Sequence, residues 1–173
     1  MNFLARRLGP EDAPAYRDIR LEGLRNEPAA FGSSHDREAP RTQAQWAEQL
    51  GRSFTFGVFD GADLVGVASF RPEELEKTAH RAHLVAVYVK PPARGKGASR
   101  VLLETLIAAA RNHVVQLHLA VTAGNEPARR LYERFGFEVY GTDPRGLRID
   151  GRFYDDYLMV LRLDQGSEES NEQ

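Results

Sequence analysis

A strand, a proline pair, a glycine-rich turn and a long amphipathic helix follow without a break between His83 and Arg111, and any fold of this chain must accommodate that run. Leu84-Val85-Ala86-Val87-Tyr88-Val89 is short, β-branched and aromatic, which predicts a buried strand. Pro91 and Pro92 end it, because neither can donate to a sheet ladder and each restricts the residue before it. From Ala98 the apolar residues Val101, Leu102, Leu106, Ile107 and Ala110 recur three and four apart, so a helix of about three to four turns carries them on one face. Between strand and helix lies Arg94-Gly95-Lys96-Gly97-Ala98-Ser99. A glycine-rich turn entering a helix N-terminus presents backbone N–H groups without intrahelical partners, reinforced by the positive end of the macrodipole, and so suits an anion such as a phosphate.

Spacing narrows the reading of that turn. A P-loop needs Gly-x-x-x-x-Gly-Lys-Ser/Thr, whereas Lys96 falls between the two glycines. The dinucleotide fingerprint fails as well, since Arg100 stands where a third Gly or Ala belongs and no acidic residue on a following strand supports it. A lone Gly-x-Gly is equally compatible with a plain tight turn. The neighbouring residues are more specific. Tyr88-Val89, then Pro91, then Arg94-Gly95-Lys96-Gly97, then Val101-Leu102-Leu103 resembles the acyl-coenzyme A pyrophosphate loop of the GNAT superfamily of N-acetyltransferases, in which Arg or Gln, two residues, Gly, one residue, and Gly or Ala follow one another. Arg94 and Gly97 fit; Ser99 stands where Gly or Ala is usual, yet is small enough to leave its N–H accessible.

The rest of the chain can be read in order. Asn2 to Leu8 is expected as a first strand, and Gly9-Pro10-Glu11-Asp12 punctuates it and opens a helix with Pro and acids in the first turn. Ala13 to Asn26 carries Tyr16, Ile19 and Leu24 on a helix face, with Ala15 and Leu21 less regular, and ends before Pro28. Ala29 to Ser34 is a flexible loop of small residues around Phe31, which reads better as a core plug than as a pocket cover. Thr42 and Gln45 form a capping box for a short helix with Trp46 and Leu50. Ser53 to Phe59 and Leu64 to Phe70 make a hairpin across Asp60-Gly61-Ala62-Asp63, and Glu73 to Arg81 is an exposed charged link. Val114 to Val121 alternates as another strand. Asn125 caps a helix with Pro127 in its first turn, Ala128, Leu131, Tyr132 and Phe135 on one side, and Gly136 beyond its end. Phe137 to Tyr140 and Leu147 to Ile149 are strand pieces around Asp143-Pro144-Arg145-Gly146, and Asp150-Gly151 turns into a last strand, Phe153 to Leu163. The tail 165–173 contains nothing to bury and is expected to be disordered.

Composition bears on compartment and chemistry. The 173 residues suffice for one domain, expected over 1–164, and without cysteine there are no disulfides, Cys-ligated zinc or thiol nucleophiles. A net charge of −2 gives no field favouring nucleic acid. No apolar run reaches the roughly 18 residues of a membrane span, and no apolar stretch follows Arg6 and Arg7 as in a signal peptide. The expectation is a cytoplasmic protein with no membrane or nucleic-acid partner. His80 and His83 lack a third ligand at a recognisable spacing, so no metal is assigned. Asp155 and Asp156 read as solvated charges of an edge strand, in preference to contacts for a cationic substrate.

The order strand, two helices, hairpin, strand, helix, strand, helix, two strands is that of the GNAT fold, and Asn125, Ala128, Leu131-Tyr132 and Gly136-Phe137 resemble a second family segment. The resemblance implies an α/β (α+β) fold, a central mixed sheet flanked by about four helices, with acetyl-coenzyme A as cosubstrate and a primary amine of a small molecule or peptide as acceptor. It implies that the main chain of Val87, Tyr88 and Val89 receives the pantetheine arm, with the Val89 N–H a candidate oxyanion donor. Arg94, Gly95, Lys96, Gly97, Ala98 and Ser99 would hold the pyrophosphate through their N–H groups, the Arg94 and Lys96 side chains being charge donors or merely solvated. Asn125 and Tyr132 would reach the cofactor, Tyr132 as the general acid for the departing thiolate, against the alternatives of a simple cap and a packed aromatic. Glu22 and His83 are candidate bases. Homodimers are common in the family. A non-catalytic acyl-coenzyme A-binding module is the alternative function.

Overall fold

Period-two runs of β-branched and aromatic residues build seven strands in the computed structural model, which describes residues 2–164. The strands are β1 (Phe3–Arg7), β2 (Phe54–Asp60), β3 (Asp63–Pro72), β4 (Arg81–Val89), β5 (Gln116–Thr122), β6 (Glu138–Ile149) and β7 (Arg152–Arg162). Hydrogen bonding orders them β1-β2-β3-β4-β5-β7-β6. The sheet is mixed, as expected: β4 and β5 are parallel, whereas β1/β2, β2/β3, β5/β7 and β6/β7 are antiparallel. The helices are α1 (Ala13–Asn26), α2 (His35–Glu38), α3 (Gln43–Arg52), α4 (Ala98–Ala110) and α5 (Glu126–Arg134). None is long and apolar enough to cross a membrane. The residues form two compact units, one up to Arg71 plus Leu84–Ala109, the other Pro72–His83 plus the residues from Ala110 onward.

In the first unit, α1 and α3 cover their strands with one aromatic cluster. Trp46 is fully buried and meets Tyr16 edge-on at 5.7 Å, and Ile19, Leu24, Leu50 and Tyr88 pack in the same core. Side chains of this size contribute roughly 1.5–3 kcal/mol each on burial, so their spacing on the helices largely decides the docking. The Thr42 hydroxyl accepts the Gln45 N–H and the Gln45 side chain accepts the Thr42 N–H, the expected capping box. Phe31 is buried, which bears out the core reading.

The segment around Phe31 corrects the expectation of a flexible loop. A 3₁₀ turn at Pro28–Ala30 and the short α2 add the fifth helix. Glu38 of α2 is nearly fully buried and takes both Arg20 nitrogens at 2.9 and 2.8 Å, while the Arg20 guanidinium lies 4.7 Å from the Phe31 ring centre. A bidentate pair between α1 and α2 cannot be read from residues 18 apart in sequence.

In the second unit the parallel ladder pairs Arg81, Ala82 and His83 with Gln116, Leu117 and His118, so β4 begins three residues before the predicted Leu84. β6 is one strand rather than two pieces, although its ladder with β7 shifts register between Asp143 and Leu147. Pro144 lacks the N–H a ladder needs, and Arg145 adopts φ 57°, so the intervening residues bulge instead of breaking the strand. Asp150 and Gly151, at φ 48° and 80°, form the predicted hairpin turn. The expected disorder of 165–173 lies outside the described residues.

Candidate active site

β4 ends at Val89, a 3₁₀ turn spans Pro91–Ala93, and α4 begins at Ala98, so the glycine turn sits where the sequence predicts. Gly95 and Gly97 have φ 70° and 97°, and a Cβ at either would meet nothing within 4 Å. Open space beside a positive-φ backbone means that glycine is required here by conformation, not by packing. The Val101 N–H bonds Gly97 O at 3.1 Å and starts the helical ladder. The first-turn N–H groups of α4, Ala98 to Arg100, have no intrahelical acceptor by position, and they stand at the positive end of the helix. The Arg94 N–H, by contrast, is donated to Pro91 O at 3.2 Å.

The Arg94 side chain is exposed to solvent yet tied down by three contacts. Its Nε donates to Val89 O at 2.8 Å, its terminal nitrogen pairs with Glu27, and its guanidinium lies 5.6 Å from the Tyr88 ring centre. Arg94 therefore braces the turn against the end of β4 and of α1. Val89 O thus already has one donor, and a pantetheine amide would have to share it. Within β4, Ala86 carries φ 57°, which is costly for a residue with a Cβ and marks a local distortion of the strand just before Val87.

Glu22 points toward this end of β4. The Tyr88 hydroxyl donates to Glu22 Oε1 at 2.8 Å, Asn26 Nδ2 stands 3.5 Å from the same hydroxyl, and Lys90 Nζ lies 4.0 Å from Glu22 Oε2. Burial, followed by the neighbouring carboxylate, pushes the Tyr88 phenol up. From sequence, Tyr88 is expected to act only through its main chain. Its partners lie on one side of α1 at the i, i+4 positions Glu22 and Asn26, a spacing that was visible but unmatched to any strand residue. A cavity of about 530 Å³ in this unit is lined by Arg17, Glu22, Arg25, Asn26 and His35 among others.

His83, the other candidate base, belongs to the second unit. Its Nε2 is 2.8 Å from Glu73 Oε1, which also accepts from Arg81 Nε at 2.8 Å. Hydrogen bonds from Thr78, His83 and Arg81 hold the Glu73 carboxyl down to about 2. The supposed charged link is thus clipped back onto β4. His118 stands beside His83, with ring centres 5.9 Å apart, and burial followed by the charge of Arg81 lowers its pKa from the ordinary histidine value. A histidine with a depressed folded pKa binds protons better unfolded, so its stabilising contribution is present above about 6.5 and lost as pH falls through the folded value. The thermal midpoint should therefore drop on going from neutral pH to pH about 5, and His118→Gln should make that drop shallower; an equally steep drop would refute the assignment.

α5 is capped as expected, Asn125 Oδ1 accepting the Ala128 N–H at 3.4 Å with Pro127 in the first turn. Tyr132 is only 8% exposed and lies edge-on to Phe137 at 5.8 Å. No described residue hydrogen-bonds its hydroxyl, and burial drives its pKa up, so the phenol stays neutral. Asp156 is the clear departure from expectation. It is 7% exposed on β7, no edge charge at all, since β6 covers that side of the strand.

With this geometry in place, the chain can be compared with known proteins. The family model described as the acetyltransferase (GNAT) family matches residues 20–137. The L-methionine sulfoximine/L-methionine sulfone acetyltransferase of Pseudomonas paraeruginosa is 38% identical over 80 residues, 46% of each chain. Mycothiol acetyltransferase of Brachybacterium faecium is 30% identical over 157 residues, covering 78% of this chain and 47% of that one. The chain thus spans about half the length of these curated relatives. Among solved structures, ribosomal-protein-alanine N-acetyltransferase from Brucella melitensis superposes with a TM-score of 0.77 at 30% identity, covering 92% of this chain and 99% of that one. The Salmonella typhimurium protein yncA, solved with its cofactor acetyl-CoA, gives 0.77 at 25% identity, covering 94% and 95%.

Proposed function

Because the chain belongs to the acetyltransferase (GNAT) family, we propose that it transfers an acetyl group from acetyl-CoA to a primary amine of a small molecule or peptide by direct attack in a ternary complex. The observation that carries this reading is the glycine turn entering α4, with open faces at Gly95 and Gly97 and first-turn helix N–H groups that lack intrahelical acceptors, an arrangement that suits a pyrophosphate. Acetyl-CoA supplies an activated thioester, which amine attack converts into an amide with release of the thiol.

The residues divide the remaining work. In the first unit the turn holds the pyrophosphate, the main chain of Val87 to Val89 takes the pantetheine arm, and the Val89 N–H is assigned to the developing oxyanion. Arg94 keeps turn and strand in register through its bond to Val89 O, a structural role in place of a direct phosphate contact. In the second unit Asn125 caps α5, and the role assigned to Tyr132 is that of general acid to the leaving thiolate. The attacking amine must lose a proton, since an amine with a pKa of about 10.4 is charged at neutral pH. Glu22 is the base assigned here, because it lines a cavity; it also accepts from the Tyr88 hydroxyl, while His83 is paired with Glu73. A cytoplasmic site of action belongs to the same proposal, the donor thioester being an intracellular metabolite.

A thiol-release assay with acetyl-CoA over a panel of primary amines tests the reading. Turnover on at least one amine is expected; acetyl-CoA binding without release of thiol on any of them would leave the non-catalytic binding module in its place.

A further inference from the structure

Opposite charges about one turn apart on a helix tend to close into a pair, because side chains at i, i+3 and i, i+4 lie side by side. Elsewhere in this chain they do so: Glu48 and Arg52 meet at 2.9 Å, Arg100 and Glu104 at 2.7 Å, and Arg129 and Glu133 at 2.9 Å. Glu22 and Arg25 are neighbours of the same kind on α1, yet among the described residues Arg25 takes part in no ion pair. Glu22 is held elsewhere. The Tyr88 hydroxyl donates to its Oε1 at 2.8 Å, and Lys90 Nζ stands 4.0 Å from its Oε2. Tyr88 is buried in the aromatic core, so this donor is fixed in place and keeps the carboxylate from closing onto the guanidinium.

Both members of this open pair line the cavity of about 530 Å³, whose walls come from α1 and from His35 and Ala39 of the α2 segment. The other charges there are already offset. Arg17 meets Asp18 at 3.4 Å, and His35 faces Asp36 at 3.5 Å. One carboxylate and one guanidinium remain, Glu22 and Arg25, beside an apolar wall of Leu21 and Ala39. Every one of these residues belongs to the first unit, as do the glycine turn and the end of β4, and Tyr88, which reaches Glu22, directly precedes Val89. Two opposite charges held apart within one helical turn complement a molecule that carries an ammonium and a carboxylate on neighbouring atoms. A ligand with a single charge would satisfy only one of them. A carboxylate matches the planar fork of Arg25, and an ammonium brings three donors to the acceptor-only Glu22.

We propose that this cavity binds the acceptor as a free, zwitterionic α-amino acid, its carboxylate on Arg25 and its ammonium on Glu22, with Leu21 and Ala39 beside its side chain. The choice separates the amine classes. A polyamine would set like charge against Arg25, and a simple monoamine or the N-terminus of a peptide, whose first carboxyl is an amide, leaves Arg25 without its anion. The inference rests on the acetyltransferase reading for the identity of the ligand as acceptor, but not for its binding.

Calorimetric titration of the full chain with L-leucine, L-glutamine and L-phenylalanine, each against its own carboxamide, tests the site independently of turnover. Coenzyme A is present in place of acetyl-CoA, so that no acetyl group can move. The amide keeps the ammonium and the side chain and removes only the anion. At least one amino acid should bind at least about tenfold more tightly than its amide. Arg25→Gln, a change at an exposed position, should erase that ratio by weakening the amino acid and leaving the amide where it was. Glu22→Gln should weaken both forms and keep the ratio. Equal affinity within every pair, a ratio that survives Arg25→Gln, or no measurable binding of any of the three amino acids would overturn the site even where thiol release from acetyl-CoA proceeds normally with other amines. A preference that Arg25→Gln erases, together with no acetyl transfer to any amine, would instead retain the site and remove the acetyltransferase reading.

Discussion

Gly97→Val is expected to raise the KM for acetyl-CoA by roughly 10- to 100-fold while leaving the fold intact. At φ 97° the backbone lies beyond the left-handed region that Asn or Asp tolerates, and a β-branched residue there is a true outlier costing on the order of 1–3 kcal/mol. The turn would relieve that strain by changing φ. The N–H groups that converge on one anion would then point apart, and each 1.4 kcal/mol of lost interaction is about a factor of ten in affinity. Nothing packs against Gly97, so any loss of stability should be limited to that backbone strain. Gly95 offers an internal control: its φ of 70° is close to a conformation Asn accepts, so Gly95→Asn should have a much smaller effect. Steady-state kinetics with varied acetyl-CoA decides the matter, and an unchanged KM for Gly97→Val would remove the pyrophosphate assignment.

Tyr132→Phe is expected to lower kcat by about 10- to 100-fold with little change in the KM for acetyl-CoA. General acids contribute typically 10²–10⁴-fold, and an effect at or below the bottom of that range is expected here for a reason visible in the structure. Burial raises the Tyr132 phenol further above a thiol of pKa about 8.5, so full proton transfer to the leaving sulfur is uphill. On the proposed mechanism the hydroxyl would act chiefly as a hydrogen-bond donor to a thiolate that forms only as the bond breaks. A packing role predicts something different. The ring stays against Phe137 in the variant, so a residue that mattered only for packing would show wild-type kcat. Measuring both constants separates the two cases, because loss of a donor used only in the transition state appears in kcat.

Much of the fold was legible because its signals are local. Pro91 and Pro92 end β4, Asn125 and Pro127 start α5, Thr42 and Gln45 start α3, and Asp150-Gly151 turns the last hairpin; each acts within four residues of itself. What failed were inferences about places where distant residues decide. The stretch around Phe31 is held by Arg20 pairing with buried Glu38, and β6 continues through Pro144 because β7 supports both sides of the bulge.

The site divides the same way. The sequence alone determined the glycine turn at Gly95 and Gly97, since positive φ angles at a helix entrance need residues without a Cβ, and it determined the amphipathic α4 behind them. Only the tertiary structure decided which charges are available. Arg94 is spent on Val89 O and Glu27, His83 on Glu73, and Glu22 faces Tyr88 and Lys90. Asp156, which looks in sequence like any surface aspartate, is buried with an oxygen unpaired because two neighbouring strands enclose it. Backbone conformation is dictated by a residue and its immediate neighbours, whereas burial and charge pairing depend on which strands and helices come to lie beside one another. The chain's own letters therefore fix the shape of the turn, and the packing fixes which charges around it are free.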